Sequence, residues 1–182
     1  MYLANRAIIG FQLRAAHSGF VGVHLMDLAH KPFKLRPASS GDFRFAWSLY
    51  RDLMKPLTVE LLAWNEPGQK HVVELALAQE GTSIIVIDEL DAGWLQVDES
   101  LDSIYLGQLY LVSPFQNCGV GTAIVRGLKD KARRAGKALT LDVMKNNRAR
   151  TLYRRLGFQV IGESEYKLKM QWRENAPGSG ST

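Results

Sequence analysis

The residues best placed to do chemistry form a turn, Gln116-Asn117-Cys118-Gly119-Val120-Gly121-Thr122. A β-rich run precedes it, ending at Leu111-Val112-Ser113-Pro114, and an amphipathic run from Thr122 to Ala135 follows. Strand, glycine turn and helix start together leave several backbone N–H groups at the positive end of a helix dipole. That arrangement is a cradle for phosphate. Gly119 and Gly121 let a ligand approach the chain closely. Cys118 lies inside the turn and is open to thiol reagents, but no His accompanies it in the motif, so a catalytic thiol is not expected.

Two common phosphate binders are excluded by what the turn lacks. A P-loop needs Gly-Lys-Ser/Thr, and Gly121 is followed by Thr122-Ala123. A dinucleotide fingerprint needs a third glycine, and that position is Ile124. Metal chemistry finds no support either. One cysteine rules out a Cys-type zinc site, and His17, His24, His30 and His71 show no ligand spacing. The single cysteine also rules out an internal disulfide and fits a reducing, cytoplasmic compartment.

The chain has 182 residues, 46% hydrophobic and 23% charged, which suits one soluble domain. Its net charge of +5 is unevenly spread. Between Arg126 and Arg155 there are eleven Lys or Arg against Asp130 and Asp142. This is either a solvated helix face or a surface for a polyanion. No stretch approaches the roughly 18 unbroken apolar residues of a membrane span.

The elements that must position the turn can be read in order. Residues 1–32 carry Arg6 and Arg14 among apolar residues, with Asp27 as their sole acid. They are expected to be an extension outside the fold, with Met26 an alternative start. Phe33–Pro37 alternates as a strand. Ser39–Asp42 signals a helix start, and Phe43, Ala46, Trp47, Tyr50 and Met54 follow on one helical face. Pro56 is expected to end that helix, with a short second helix over Thr58–Trp64 and a third opening at Pro67. Trp47, Tyr50 and Trp64 either line a pocket or fill the core. Ser83–Ile87, Gly93–Asp98 and 104–112 read as a meander of antiparallel strands. A helix over 119–135 is capped by Gly136 and leads into the strand Ala138–Met144, making a βαβ unit.

Asn146 is read as the N-cap of the next helix. On that helix Ala149, Leu152, Tyr153 and Leu156 share a face, and Gly157 closes it. Asn146 and Tyr153 are two helical turns apart and are expected to point the same way. Phe158–Ile161 and Tyr166–Trp172 are the last strands, with a hairpin turn between them. Residues 173–182 are expected to be a disordered tail.

The combination of Gln116-x-x-Gly119-x-Gly121 with Asn146-x-x-Ala149-x-x-Leu152-Tyr153-x-x-Leu156-Gly157-Phe158 resembles the GCN5-related N-acetyltransferase (GNAT) family. The resemblance covers residues 33–172, with its diagnostic part at 104–163. It implies a mixed α/β (α+β) fold: a mostly antiparallel seven-stranded sheet, splayed at its centre, with helices on both faces. Acetyl-CoA, as co-substrate, would lie in the splay. Its pyrophosphate would sit on the amides of Gln116, Asn117, Cys118, Gly119, Val120, Gly121 and Thr122. Its pantetheine would pair with the strand at 109–112, touching Leu111 and Val112. A backbone N–H near Leu111 would stabilise the oxyanion.

The resemblance further makes Tyr153 the general acid toward the leaving thiolate. Asn146 would cap its helix and hydrogen-bond the pantetheine or the opposite strand. Lys145, Arg148, Arg150 and Arg154 lie near the expected place of the adenosine 3′-phosphate. The base is unassigned. The central strand offers Gln108 where many relatives use Glu, and Asp98, Glu99, Asp102 and Asp142 have no firm claim, so a water relay is favoured.

The reading is therefore an enzyme, an acetyl-CoA-dependent N-acetyltransferase working by direct attack in a ternary complex. Its partners are acetyl-CoA and an amine, with no nucleic acid or membrane, and a homodimer left open. Two alternatives stand beside it: a non-catalytic acyl-CoA sensor and a basic nucleic-acid-binding module. The acceptor is set by the helices at 42–77 and the 163–166 turn, and small amines, amino acids and proteins all remain open.

Overall fold

The computed structural model describes residues 31–174. Expectations for residues 1–30 and 175–182 lie outside the described residues. The strands are β1 (Lys34–Pro37), β2 (Thr82–Ile87), β3 (Leu90–Glu99), β4 (Ser103–Leu111), β5 (Ala138–Met144), β6 (Gln159–Glu163) and β7 (Lys167–Trp172). The helices are α1 (Phe43–Val59), α2 (Glu66–Leu77), α3 (Val120–Arg134) and α4 (Ala149–Arg155). One seven-stranded sheet runs β1-β2-β3-β4-β5-β7-β6, and only the β4–β5 pair is parallel. The expected mixed, mostly antiparallel sheet with helices on both faces is the fold observed.

Different helices cover the two faces of the sheet. α3 and α4 pack on one, where Ile124, Leu128, Leu139, Leu141, Tyr153 and Leu156 join a buried cluster. α1 and α2 pack on the other, against Ile84 and Trp94. The rings of Trp47, Tyr50 and Trp64 lie 6.2 Å from one another in this second cluster, so the core reading of these rings holds.

The splay has a local cause. Gln96 faces Gln108 and Val97 faces Leu106, so Gly107 is an extra residue in β4. Such a bulge bends its strand and increases the twist. β4 stays paired with β5 only from Ser103–Leu106 against Ala138–Leu141. Beyond Leu106 the strands separate. The bulge also resets the alternation. Ile104, Leu106, Leu109 and Leu111 face α3, while Tyr110 and Val112 face α1 and α2.

Three sequence expectations are corrected. α1 passes through Pro56 and ends at Val59, because a proline in the last turns removes one backbone bond without displacing the bonds beyond it. The chain then turns over residues 60–62, so the separate helix expected over Thr58–Trp64 does not form, and Thr58 and Val59 belong to α1. β4 ends at Leu111, and Ser113–Phe115 is a single 3-10 turn.

Candidate functional site

α3 begins where the sequence placed its start. Gly119 takes the left-handed conformation at φ 86°, as does Asn117 at φ 59°, so the loop turns sharply before the helix. The first α3 bond runs from Ala123 N–H to Gly119 O at 2.9 Å. The N–H groups of Val120, Gly121 and Thr122 therefore have no intrahelical acceptor. A Cβ on Gly121 would lie 3.8 Å from Leu111 Cδ1 and 3.9 Å from Leu152 Cδ2. Its missing side chain thus faces the space between the end of β4 and α4. Cys118 donates from Sγ to Phe115 O at 3.0 Å.

The end of β4 offers a second set of backbone groups. Val112 N–H donates to Ala92 O at 2.9 Å. Strand alternation then turns the N–H groups of Leu109 and Leu111 the other way, toward the gap that β5 has left. Val112 has its amide committed to β3, so of the two residues expected there only Leu111 presents a donor to the splay. Gln116 fixes this corner. Its Nε2 donates to Leu111 O at 2.7 Å, and its Oε1 accepts from Arg148 Nη2 at 3.0 Å. One side chain thus joins the turn, β4 and the start of α4. Nothing in the sequence spacing points to this role.

α4 has seven residues, too few to hold as a helix unaided. Packing holds it: Tyr153 and Leu156 are buried, and Tyr153 meets Phe158 edge to face at 5.7 Å. Lys129 Nζ caps its end through Leu156 O at 2.8 Å. Asn146 is not its N-cap. Asn147 Oδ1 accepts from Ala149 N–H at 2.8 Å, one residue further on. Asn146 also precedes the helix, so it does not share a helical face with Tyr153.

Asn146 instead reaches α1. Its Nδ2 donates to Leu57 O at 2.9 Å and to Glu60 Oε2 at 2.6 Å, while its Oδ1 is buried without a partner. α1 packs beside β4, and Asn146 follows β5, so these bonds cross the mouth of the splay.

Tyr153 is 8% exposed. That burial pushes its pKa up to about 12. On the α1 side, Tyr110 donates to Gln108 Oε1, and burial holds Tyr110 well above the usual tyrosine value.

The carboxylates separate by environment. Glu99 is pinned by Lys131 at 2.7 Å and Lys137 at 2.6 Å, whose hydrogen bonds pull its pKa down. Asp142 accepts from Tyr105 at 3.0 Å. Asp98 is raised by partial burial, but it sits opposite Tyr105, below the point where the strands part.

The basic region is partly neutralised. Arg133 pairs with Asp130 and Glu174, and Lys145 pairs with Glu163. Arg150 bonds Lys145 O at 2.6 Å. No helix of the described residues is long and apolar enough to cross a membrane.

This arrangement is similar to known proteins. The profile of the Acetyltransferase (GNAT) family matches residues 46–158. Among solved structures, the PaiA N-acetyltransferase of Thermoplasma acidophilum, in complex with coenzyme A, is 14% identical with a TM-score of 0.62. That match covers 79% of this chain and 99% of the other. The ribosomal-protein-S18-alanine N-acetyltransferase of Escherichia coli is 17% identical with a TM-score of 0.57, covering 83% of this chain and 99% of the other. No curated protein matches the chain.

Proposed function

We propose that this chain, which belongs to the acetyltransferase (GNAT) family, transfers the acetyl group of acetyl-CoA to an amine by direct attack within a ternary complex. The observation that carries the reading is the meeting of two sets of unused backbone donors. The N-terminal amides of α3 and the Leu109–Leu111 edge of β4 open on the same gap.

The residues fit the donor molecule by chemistry. The Gln116 N–H is taken by Ser113 O, so of the amides expected there it is the ones at the α3 start, Val120, Gly121 and Thr122, that suit a pyrophosphate. The open edge of β4 suits the peptide-like pantetheine as an added strand. Leu111 N–H is then the donor for the thioester oxygen. Arg148, Arg150 and Lys145 stand near the start of α4, where a further phosphate would be held.

Tyr153 acts on the leaving sulfur. Its pKa of about 12 keeps the proton in place across the working pH range. A thiol near pKa 8.5 makes full transfer uphill by about 5 kcal/mol. Tyr153 therefore stabilises the thiolate by donating a hydrogen bond. The amine loses its proton through water, since Gln108 cannot take it.

A second reading, an acyl-CoA sensor without turnover, has one observation in its favour: Gln108 stands on the central strand where a base would be expected, and it is held by Tyr110. Two measurements decide. Calorimetry with acetyl-CoA should show saturable binding, and CoA release against a panel of primary amines should show turnover. Binding without turnover overturns the enzyme reading in favour of the sensor. Absence of binding overturns both.

A further inference from the structure

We propose that Gln96 is a positioning residue for the acyl transfer: its side-chain amide seats the Gly107 bulge and so aims the Leu109 and Leu111 N–H groups into the splay. The inference rests on the proposed acyltransfer and adds what holds its backbone donors in place.

Gln96 lies on β3 opposite Gln108, beside the register shift. It is a buried polar side chain. An amide in such a place is unfavourable unless it is bonded. Two acceptors orient it: its Nε2 donates to Gln79 Oε1 and, at 3.4 Å, to Asp98 Oδ2. Gln79 follows the end of α2, and its backbone O accepts from Thr82 N–H, at the start of β2, at 3.0 Å. The amide is therefore anchored to α2 and β2 together. Its oxygen lies against β4. A Cβ on Gly107 would lie 3.1 Å from Gln96 Oε1 and 3.3 Å from its Cδ. The extra residue of the bulge thus rests on this amide, and a side chain there would push the amide aside.

A second bond holds the other flank. The Tyr105 ring lies 3.5 Å from the same Cβ position, and its hydroxyl donates to Asp142 Oδ2 at 3.0 Å. Asp142 is the first residue of β5 beyond the paired stretch, which ends at Leu106 and Leu141. The root of the splay is thus fixed toward β3 by Gln96 and toward β5 by Tyr105. A bulge re-aims the strand that leaves it. Leu109 and Leu111 come next along that strand, so the direction of their N–H groups depends on how Gly107 is seated. The α3 amides that suit the pyrophosphate do not share this dependence.

The test measures CoA release from acetyl-CoA with 2-phenylethylamine, the first amine of the panel, and acetyl-CoA affinity by calorimetry, both on the full chain. Gln96→Ala should lower kcat about tenfold to a hundredfold, the scale of a misplaced reacting group or a weakened oxyanion donor. Acetyl-CoA affinity should change by less than about threefold. Gly107→Ala alone should lower kcat to a similar degree, because its Cβ meets the amide. In the Gln96→Ala background it should lower kcat no further, since the group it meets is gone. Losses that multiply overturn the seat. So does a Gln96→Ala protein with a lower Tm and the kcat of wild type, which is the result of a purely structural role. If Gln96→Ala does not fold, Gln79→Ala decides. It frees the amide from a partly exposed partner and should lower kcat about threefold to tenfold, and an unchanged kcat overturns the proposal. Wild-type protein that binds acetyl-CoA and turns over no amine of the panel removes the acyltransfer reading itself, and the positioning role with it, before any variant is compared.

Discussion

The donor side of the splay and the α1 side facing it are built by different means. On the donor side, the α3 start and the β4 edge present backbone N–H groups, and the side chains mostly stay out of the way. On the α1 side, Glu60 and Asn146 meet through side chains that lie 86 residues apart in sequence. A backbone site depends on conformation, so it tolerates substitutions that keep the turn and fails when the space is filled. A side-chain site depends on identity, so a change of one atom can matter. The difference predicts opposite sensitivities on the two sides.

The largest effect should come from filling the donor side. Gly121→Trp places a ring where the glycine now faces Leu111 and Leu152. We expect acetyl-CoA affinity to fall about a hundredfold or more, roughly 2.7 kcal/mol, with the circular dichroism spectrum unchanged. Gly121→Ala should be mild, because its Cβ meets both leucines at ordinary contact distance. Equal affinity for wild type and Gly121→Trp by calorimetry would remove the backbone cradle and with it the comparison.

Next in size is Tyr153→Phe. The ring and its edge-to-face contact with Phe158 survive, so the fold should hold. We expect kcat to fall about tenfold to a few hundredfold with both KM values near wild type. The pH profile gives an independent check. Because burial pushes the hydroxyl's pKa up to about 12, it stays protonated through the working pH range, and kcat should show no alkaline limb from Tyr153 below about pH 11. A limb between about pH 9 and 10 that disappears in Tyr153→Phe contradicts the buried, protonated hydroxyl. Stability follows the same sign. The folded value lies above the ordinary 10, so no stability is lost below pH 10, and it declines as the pH rises from 10 toward 12.

The contrast between the sides also explains what the sequence could disclose. Gly119 and Gly121 between a strand and an amphipathic run mark a backbone site, because sterics restrict which residues fit there. β5 is readable residue for residue, since Ala138–Met144 is a bounded apolar run. The α1 side leaves no such trace. Glu60 belongs to no motif, and the run Thr58–Trp64 suggests a second helix where the structure ends α1 at Val59 and turns over residues 60–62. Asn146 misleads for a related reason. Two asparagines stand together and either can serve the helix start; in the structure Asn147 accepts from Ala149 N–H just ahead of the N-cap Arg148, while Asn146 crosses to α1. The Gly107 bulge is equally hidden. A bulge is a relation between strands, and one glycine in a strand does not specify it.

The smallest effect tests whether the donor side is purely a backbone device. Gln116 holds Leu111 O and is itself held by Arg148. Arg148 is exposed, and an exposed charge-assisted bond contributes up to about 1 kcal/mol. Arg148→Ala should therefore raise the acetyl-CoA KM by at most about fivefold. Gln116→Ala removes both bonds and frees the Leu111 carbonyl, so its effect should be larger and should include kcat, because the Leu111 amide next to it is the proposed oxyanion donor. Arg148 also stands near the expected phosphate, so a drop in affinity alone does not separate direct binding from support of Gln116. Combining the two substitutions does. If Arg148 acts through Gln116, Arg148→Ala adds nothing once Gln116 is alanine. If the losses add, Arg148 meets the ligand on its own, and the donor side relies on a side chain as the α1 side does.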